Sequence, residues 1–400
     1  MSVPGIETLE VNGKKVLVRV DFNVPLDKKT GEITDTTRIT ASLPTLEDLL
    51  NKGASLILIS HLGRPKGVRD ESLSLAKVAE KLQTLLPSIK VHFCSESIGK
   101  SASEMSANLK RGEILLLENI RFYAQETSKE KPERIKFAKE LTSMADAYVD
   151  DAFGACHRAH ASIVECAELL PAAAGHLLKK EIQILQSLVT KPERPFVAII
   201  GGAKVSSKIA VLENLIQKVD SILIGGAMAY TFLKSRAIDV GTSLVEKEQL
   251  SPAFQIIDKA GYYQKNFMLP EDHVIASEFS ERAKIKKTSN KTIPPTFMGM
   301  DIGPKTIEKY EKVIKEAKTV LWNGPMGVFE MKPFAAGTMA MAKAMSKVKG
   351  TTVVGGGDSV AAVNLAGLGG KMTHISTGGG ATLEFLEGKK LPGVEVLRQE

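Results

Sequence analysis

Short apolar runs alternate along the chain with polar or glycine-rich loops and with segments of helical periodicity. The runs are rich in leucine and in β-branched residues, which is typical of parallel strands that are buried on both faces. They occupy residues 16–20, 56–59, 114–117, 147–149, 197–200, 222–224, 320–322, 351–354 and 373–376. This alternation of strand and helix predicts an α/β protein with doubly wound parallel sheets that carry helices on both faces.

The loops that follow these strands differ between the two halves of the chain. Charged and polar side chains fill them in the first half, whereas pairs and triplets of glycine fill them in the second half. Ligands of such sheets bind outside the carboxyl ends of the strands. We therefore expect two Rossmann-like domains with different ligands, at residues 1–172 and 196–386. A helical hinge at 173–195 would join them, because 177–189 has helical periodicity and 191–195 contains two prolines.

The stretch 196–211 combines a strand, a glycine turn and two lysines. Gly201 and Gly202 end the apolar run, and an amphipathic helix is predicted over 209–219. A strand followed by a glycine turn and a helix N-terminus presents backbone N–H groups to an anion. If Lys204 and Lys208 both lie in the first helical turn, they repel each other, and an anion between them would relieve the repulsion. A solvated pair of surface lysines is the alternative interpretation.

Further glycine turns follow the later strands. They are Gly225-Gly226, Gly355-Gly356-Gly357 and Gly378-Gly379-Gly380. Glycines let a phosphate approach the backbone, and a helix dipole favours its charge. Asp358, next to the second of these turns, is a candidate Mg²⁺ ligand, with a simple helix cap as the alternative.

Arginines mark the loops of the first half. Arg38, Arg64, Arg121 and Arg158 each lie in or beside a loop, with His61 nearby. The planar guanidinium suits carboxylate and phosphate, so convergence of these side chains on one sheet edge would create a site for a small polyanion. Each one taken alone is more typical of an exposed surface residue. Arg19 lies inside a strand, and we expect it in a structural ion pair.

Composition narrows the classes of partner. The 400 residues carry a formal net charge of +7, but the lysines are scattered and only 5% of residues are aromatic, so no nucleic acid is expected. No apolar run is long enough for a membrane span, so no membrane is expected either. The N-terminal residues lack a signal core. Three cysteines without paired spacing indicate reduced, buried thiols and a cytoplasmic location.

Several familiar motifs are missing. The sequence has no GxxxxGK[ST] loop, no GxGxxG fingerprint of a nicotinamide dehydrogenase, and no HRD or DFG of a protein kinase. A convincing nucleophile or general base is missing too. Phosphoryl transfer depends on positioning and charge neutralisation, and an acceptor that is already an anion needs no base. The inventory of cations and glycine turns therefore favours phosphoryl transfer over a dehydrogenase.

The chain resembles the phosphoglycerate kinases from end to end. The matching motifs are Arg19-Val20-Asp21-Phe22-Asn23-Val24-Pro25, Ser60-His61-Leu62-Gly63-Arg64-Pro65, Leu117-Glu118-Asn119-Ile120-Arg121-Phe122, His157-Arg158-Ala159-His160-Ala161-Ser162, Gly201-Gly202-Ala203-Lys204-Val205, Trp322-Asn323-Gly324-Pro325-Met326-Gly327-Val328-Phe329-Glu330, Gly355-Gly356-Gly357-Asp358-Ser359 and Ser376-Thr377-Gly378-Gly379-Gly380-Ala381. Two departures are small: Ser359 stands where threonine is common, and Cys156 stands where alanine is usual. Either hydroxyl at 359 would serve a phosphate.

The resemblance implies reversible phosphoryl transfer from 1,3-bisphosphoglycerate to ADP, with Mg²⁺, across a cleft that closes between the two domains. It implies that the phosphoglycerate is held by Asp21, Asn23, Arg38, His61, Arg64, Arg121 and Arg158. The nucleotide would be held by Lys204, Lys208, Gly225, Asn323, Gly327, Glu330, Gly356, Gly357, Asp358 and Ser359, with Asp358 on the metal and Glu330 on the ribose. Arg38, Lys204, Gly357 and Gly380 would carry the transfer itself.

The resemblance also implies a monomer whose C-terminal tail, 387–400, packs back on the first domain. The remaining alternative is a catalytically silent nucleotide-binding protein of the same fold.

Overall fold

The computed structural model describes residues 3–27 and 29–398, and the chain divides into two compact units. Unit 1 runs to Gln183 and includes the chain again from Lys390, whereas unit 2 is Ile184–Lys389. Each unit is built around a six-stranded sheet of its own. Each unit therefore has the layered architecture that alternating strands and helices produce.

Unit 1 contains a fully parallel sheet. Its strands are β1 (Lys15–Arg19), β2 (Ser55–Ile59), β3 (Val91–Cys94), β4 (Ile114–Leu117), β5 (Ala147–Asp150) and β6 (Ala172–Ala174). They are arranged in the order β3-β4-β2-β1-β5-β6. Every residue of β2 is buried, as expected for an apolar central strand. The order changes direction at β1, so the loop after β1 lies at a topological switch point, where such sheets bind ligands.

Helices alternate with the strands of unit 1. They are α1 (Thr37–Asn51), α2 (Ala76–Leu85), α3 (Lys100–Ala107), α4 (Lys131–Thr142), α5 (Glu165–Leu169) and α6 (His176–Thr190), which continues into unit 2. Single 3₁₀ turns lie at Ile6–Thr8, Glu71–Leu73, Ile120–Phe122, Ala124–Thr127 and Phe153–Ala155. Ile39, Leu46 and Leu49 of α1 are fully buried in the same core as Leu56 and Leu58 of β2.

Unit 2 combines a parallel sheet with a small antiparallel one. Its strands are β7 (Phe196–Ile200), β8 (Ser221–Ile224), β9 (Asn266–Met268), β10 (His273–Ala276), β11 (Ile285–Lys287), β12 (Met298–Ile302), β13 (Thr319–Asn323), β14 (Thr351–Gly355) and β15 (His374–Ile375). The parallel sheet has the order β15-β14-β13-β7-β8-β9, and the antiparallel sheet has the order β11-β10-β12. The parallel order reverses between β7 and β13, which places a ligand-binding switch point there.

The helices of unit 2 follow the same alternation. They are α7 (Ile209–Leu215), α8 (Met228–Ser235), α9 (Leu250–Tyr262), α10 (Pro304–Glu316), α11 (Ala336–Met345), α12 (Gly357–Leu365) and α13 (Gly380–Leu386), with 3₁₀ turns at Lys247–Gln249, Lys332–Phe334 and Gly369–Lys371. The chain then returns to unit 1 and forms α14 (Pro392–Val396), where the N–H of Gly393 donates to the carbonyl of Cys156 at 3.0 Å.

The predicted α/β architecture is confirmed, since both six-stranded sheets consist of parallel strands with helices between them. The helix predicted over 209–219 is shorter in the structure. Helix α7 ends at Leu215, and a turn follows up to Val219. For 280–295 the polar sequence predicts only a loop or hairpin, so the antiparallel sheet of β10, β11 and β12 is an addition to the predicted fold. None of the described helices combines the length and the apolar character that a membrane span requires.

Candidate functional site

Unit 1 carries a basic cluster at the carboxyl ends of its strands. Its members follow β1, β2, β4 and β5 or begin α1, and they are Asp21, Asn23, Arg38, His61, Arg64, Arg121 and Arg158. Because parallel strands end at one edge of the sheet, these loops meet although the chain separates them widely.

Asp21 and Arg38 form an ion pair at the centre of this cluster. Nη1 of Arg38 contacts Oδ2 of Asp21, and Asp21 is 5% exposed. Burial opposes ionisation of Asp21, but the positive charges of Arg38 and Arg19, together with the hydrogen bond from the N–H of Asn23, outweigh it and hold the pKa of Asp21 below its usual value. Arg38 is the second residue of α1, and about a third of its side chain is accessible, so its guanidinium retains donors for a ligand.

Gly63 ties two further members of the cluster together. Its N–H donates to Oδ1 of Asn23 at 2.9 Å, and its carbonyl accepts from Nη1 of Arg121 at 2.8 Å. Burial lowers the pKa of Arg121 to about 10, and the charge of Arg19 adds to this effect. Positive charges are therefore crowded around Arg121, a situation that an anionic ligand would relieve.

Arg19 supports the cluster from below. It is fully buried, its Nε donates to Oγ of Ser162 at 3.0 Å, and its Nη2 lies 3.0 Å from Nδ1 of His61. Arginine only donates, so Nδ1 of His61 accepts and the ring is the neutral tautomer with its proton on Nε2. Burial keeps the pKa of His61 well below its usual value, which agrees with this neutral state.

The prediction of an ion pair for Arg19 is wrong for the described residues, since its guanidinium bonds to no carboxylate there. Its described side-chain hydrogen bonds go to neutral groups, and the nearby carboxylate of Glu126 accepts from Oγ of Ser162 at 2.7 Å. Arg64 and Arg158 lie exposed, and neither guanidinium group makes a hydrogen bond or ion pair within the described part of the chain. The structure thus bonds five predicted members into the framework around β1 and leaves two arginines at its rim.

Unit 2 contains a pocket of about 790 Å³ at the switch point of its sheet. The lining is mostly apolar and consists of Gly202, Ala203, Gly226, Ala227, Tyr230, Thr242, Leu244, Phe279, Met298, Gly299, Met300, Pro325, Gly327, Val328, Glu330, Met331 and Asp358. These residues come from the loops after β7, β8, β10 and β13, from the segment after α8, from β12 and α8 themselves, and from the start of α12. A flat apolar group with a polar extension fits such walls.

Backbone hydrogen bonds hold the glycine turns of this pocket against the loop after β13. The N–H groups of Gly201 and Gly202 donate to the carbonyls of Asn323 and Pro325, at 2.9 and 3.1 Å. A Cβ at Gly201 would lie 2.1 Å from the Pro325 carbonyl oxygen, so only glycine permits this approach. Gly226 lines the pocket, whereas the predicted Gly225 is buried against Met326 below it.

Lys208 and Asn323 meet beside the pocket. Nζ of Lys208 contacts Oδ1 of Asn323, and a Cβ on Gly356 would lie 3.0 Å from Nδ2 of the same amide. Nδ2 of Asn323 is buried without a hydrogen-bond partner among the described residues. Burial lowers the pKa of Lys208 to about 8, against the opposing charges of Asp358 and Glu387. An ammonium group and an unsatisfied amide donor therefore lie side by side, ready for an acceptor.

Gly356 caps α12 with a left-handed φ of 88°, and Gly357 begins the helix with open space where a Cβ would be. Asp358 in the first turn is exposed at the pocket. Ser359 differs from the expectation that its hydroxyl is available to a phosphate, because the side chain is buried and accepts from the N–H of Gly324 at 2.6 Å. Its hydroxyl supports the loop after β13.

Lys204 and Lys208 do not share a helical turn. Helix α7 begins at Ile209, Lys208 is its cap, and Lys204 lies exposed in the preceding loop. No hydrogen bond or ion pair engages the Lys204 side chain within residues 3–27 and 29–398. Gly380 begins α13 behind the cap residue Gly379, whose φ is 51°.

Several wall residues escaped the sequence reasoning. Tyr230, Gly299 and Met331 lie far apart in the chain and carry no recognisable spacing. Leu244 and Phe279 also line the pocket although they are 55% and 63% exposed. Large exposed apolar side chains at a pocket mouth indicate a surface for a ligand, but exposure is not visible in the sequence.

Asp358 is the predicted metal ligand. No group of three His, Cys, Asp or Glu side chains is placed to hold a metal ion in the described ranges. Mg²⁺ is commonly bound through one or two carboxylates, with phosphate oxygens and water in the remaining positions. A single carboxylate at the start of α12 fits an ion that arrives with a phosphate ligand.

Comparison with known proteins identifies the family of the chain. A family model described as phosphoglycerate kinase matches residues 6–389. The phosphoglycerate kinase of Leptospira biflexa is 57% identical, with 99% of this chain and 98% of that protein covered. The phosphoglycerate kinase of Moorella thermoacetica is 53% identical, with 99% of both chains covered.

Solved structures give the same result. The phosphoglycerate kinase of Coxiella burnetii has a TM-score of 0.85 and 37% identity, with 99% of this chain and 98% of that chain covered. The enzyme of Pyrococcus horikoshii also has a TM-score of 0.85, at 32% identity over 100% of this chain and 98% of that chain. These relatives favour a kinase over a dehydrogenase or a catalytically silent protein of the same fold. The chain belongs to the phosphoglycerate kinase family, and it is an enzyme that transfers a phosphoryl group to or from a carboxyl group.

Proposed function

We propose that the basic cluster of unit 1 binds the phosphoglycerate and that the pocket of unit 2 binds the nucleotide. The reaction is the reversible transfer of a phosphoryl group from 1,3-bisphosphoglycerate to ADP, which gives 3-phosphoglycerate and ATP in glycolysis. The observation that carries the assignment is the pocket at the switch point of unit 2. Its lining combines an apolar wall with the carboxylates of Glu330 and Asp358 and with glycine turns, and Lys208 lies beside it.

The chemistry of each site supports this division. The phosphoglycerate carries a phosphate and a carboxyl group, and Arg38, Arg64, Arg121 and Arg158 supply planar donors for both. Asp21 orients Arg38, Asn23 holds Gly63, whose carbonyl accepts from Arg121, and the Nε2–H of His61 is a further donor. In unit 2, Leu244 and Phe279 offer apolar surface to the base, and Glu330 at the rim suits the ribose hydroxyls.

Transfer in this site needs no general base. The acceptor is a carboxylate or a phosphate, each already an anion, so the protein contributes positioning and charge. We assign Lys204 and Arg38 to the phosphoryl group in transfer, because both keep donors accessible. Gly357 and Gly380 bring bare backbone to the same group, and Lys208 and Asn323 bind the nucleotide phosphates.

Asp358 would hold Mg²⁺ together with the nucleotide phosphates. When bound, the ion neutralises phosphate charge and fixes the geometry of the phosphate chain. Gly327 and Gly356 shape the backbone on either side of Asn323, and Gly225 and Ser359 support this backbone from below.

We place this chemistry in the cytoplasm and in a monomer. Cys94, Cys156 and Cys166 are free thiols buried in unit 1, a state that a reducing compartment maintains. Each ligand site is built from residues of this chain, so the proposal requires no second copy.

A coupled assay for ATP formation from 1,3-bisphosphoglycerate and MgADP tests the proposal. We expect turnover by the full chain and an increased KM for ADP, with little change in KM for 1,3-bisphosphoglycerate, in Glu330→Ala. The reverse pattern for Glu330→Ala would overturn the assignment of the pocket to the nucleotide.

A further inference from the structure

Asp301 is a buried carboxylate next to the pocket of unit 2, although it does not line it. It follows Met300 on β12 and is 1% exposed. Oδ1 accepts from the N–H of Ile302 at 2.9 Å, and Oδ2 accepts from the N–H of Gly337 at 2.7 Å, in the first turn of α11. Both oxygens are therefore engaged by backbone donors, one on β12 and one on α11.

The same carboxylate fills the space beside two glycines. A Cβ built on Gly327 would lie 2.3 Å from Oδ1 of Asp301, and a Cβ on Gly337 would lie 2.4 Å from the same atom. A side chain at either position would displace the Asp301 carboxylate. Asp301 is thus wedged between the loop after β13 and the start of α11.

Hydrogen bonds hold the loop after β13 on both sides of its contact with Asp301. The N–H of Met326 donates to Oγ1 of Thr338 at 3.0 Å, which links the loop to α11. The N–H of Val328 donates to the carbonyl of Met300 at 2.9 Å, which links it to β12. Gly327, between these two bonds, lines the pocket and rests on Asp301.

We propose that Asp301 is a positioning residue for nucleotide binding, which fixes the backbone of 326–330 by joining β12 to α11 beneath Gly327. The inference rests on the proposed assignment of the pocket to the nucleotide. It concerns the shape of a binding wall and not the transfer step, so it affects nucleotide affinity and leaves the phosphoglycerate site of unit 1 unchanged.

Asp272 provides a matched control in the same unit. It is 2% exposed, and its carboxylate accepts from the N–H groups of Lys305 and Thr306, at 3.0 and 2.9 Å, in the first turn of α10. A Cβ on Gly303 would lie 2.4 Å from its Oδ2. Asp272 therefore resembles Asp301 in its burial, in its bonds to backbone N–H groups and in its contact with a glycine. No loop of the pocket rests on Asp272.

The test compares Asp301→Asn with Asp272→Asn in the full chain. An amide keeps the size of the carboxylate but has one acceptor oxygen, so in either variant one backbone N–H loses its partner. We expect both variants to lower the unfolding temperature. Only Asp301→Asn should raise KM and Kd for ADP, by about fivefold, with KM for 1,3-bisphosphoglycerate unchanged. Equal nucleotide KM values in the two variants would overturn the proposal.

Gly337→Ala keeps the proposal testable if Asp301→Asn does not fold. Its methyl group displaces the Asp301 carboxylate from the α11 side, while alanine favours the helix itself. We expect the same rise in KM for ADP, and an unchanged KM would count against the inference. If Glu330→Ala also leaves nucleotide affinity unchanged, the pocket assignment has failed. If only Glu330→Ala changes it, the role of Asp301 has failed.

Discussion

At the scale of single residues, the two lysines before α7 differ in burial. Lys204 and Lys208 are four positions apart, and the sequence presents them as an equivalent pair. In the structure, Lys204 is exposed and unbonded within the described chain, whereas Lys208 is partly buried against Asn323. Burial makes it harder to keep the ammonium group of Lys208 charged and lowers its pKa to about 8, so substitution of the two lysines should have different consequences.

Lys204→Ala should lower kcat by about 100-fold or more, as expected when a donor to transition-state charge is removed. The unfolding temperature should change little, because the exposed side chain makes no hydrogen bond to the described residues. Lys312→Ala removes an exposed lysine of α10 in the same unit and serves as the control. Near-normal turnover of Lys204→Ala in the coupled assay would contradict the role assigned to this residue.

Lys208 should make ADP binding depend on pH. Its pKa of about 8 leaves the amine charged at pH 7 and neutral at pH 9 in the free enzyme, and only the charged form attracts phosphate. KM for ADP should therefore rise above pH 8, approaching about tenfold per pH unit. Lys208→Arg stays protonated and should flatten this rise. A rise that persists unchanged in Lys208→Arg would assign the titration to another group.

Among the elements, α6 begins on a buried carboxylate. Oδ1 of Asp151, in the loop after β5, accepts from the N–H groups of Leu177 and Leu178, at 2.9 and 3.3 Å. Burial raises the pKa of Asp151 to about 8, although these bonds and Thr45 oppose the rise. The start of this helix therefore depends on a group that titrates in the neutral range.

Asp151→Asn should become relatively more stable as pH rises. Between about pH 4 and pH 8 the folded wild type holds a proton that the unfolded chain releases, so this group's contribution to stability falls with increasing pH. Asparagine is neutral throughout and shows no such loss. The unfolding temperature of Asp151→Asn minus that of the wild type should thus be higher at pH 8.5 than at pH 5.

The control is Asp35→Asn. Asp35 accepts from the N–H of Thr37 at 2.7 Å, at the start of α1, from a more accessible position. The same pH trend in both variants would show that burial of Asp151 is not the cause.

Elements with a strong local signal were predictable from the sequence. Strand β2 is a continuous apolar run and helix α6 has clear helical periodicity. Both begin and end in the structure within one residue of their predicted limits. Strands β10 and β12 were missed because neither is a continuous run of apolar residues: β10 begins with His273, and β12 contains Gly299 and Asp301. The antiparallel sheet supplies Met298 and Met300 to the pocket.

The residues of the candidate site also divide into those with a local sequence signal and those without one. Gly201 and Asp358 stand at strand ends or helix starts, where backbone geometry demands particular residue types, so they were found. The wall residues Tyr230 and Phe279 are ordinary apolar side chains whose role arises only from tertiary packing. Asp301 resembles any strand residue in the sequence, and only its contact with Gly327 and Gly337 distinguishes it.

At the scale of the whole molecule, the two proposed ligand sites lie in different units. Every member of the basic cluster belongs to unit 1, and every residue that lines the 790 Å³ pocket belongs to unit 2. Direct transfer requires the attacking and leaving oxygens in line with one phosphorus atom. An acyl phosphate is also hydrolysed by water, so the reacting groups have to be shielded when they meet.

The units should therefore approach each other when both ligands are bound. 3-Phosphoglycerate and MgADP together form a complex that cannot react, so small-angle scattering can record it at equilibrium. We expect a smaller radius of gyration for this ternary complex than for the free chain, with smaller changes for either ligand alone. The same radius in all four states, at ligand concentrations shown by calorimetry to saturate both sites, would mean that closure does not accompany binding. Phosphoryl transfer would then have to proceed from the arrangement of the units in the free chain.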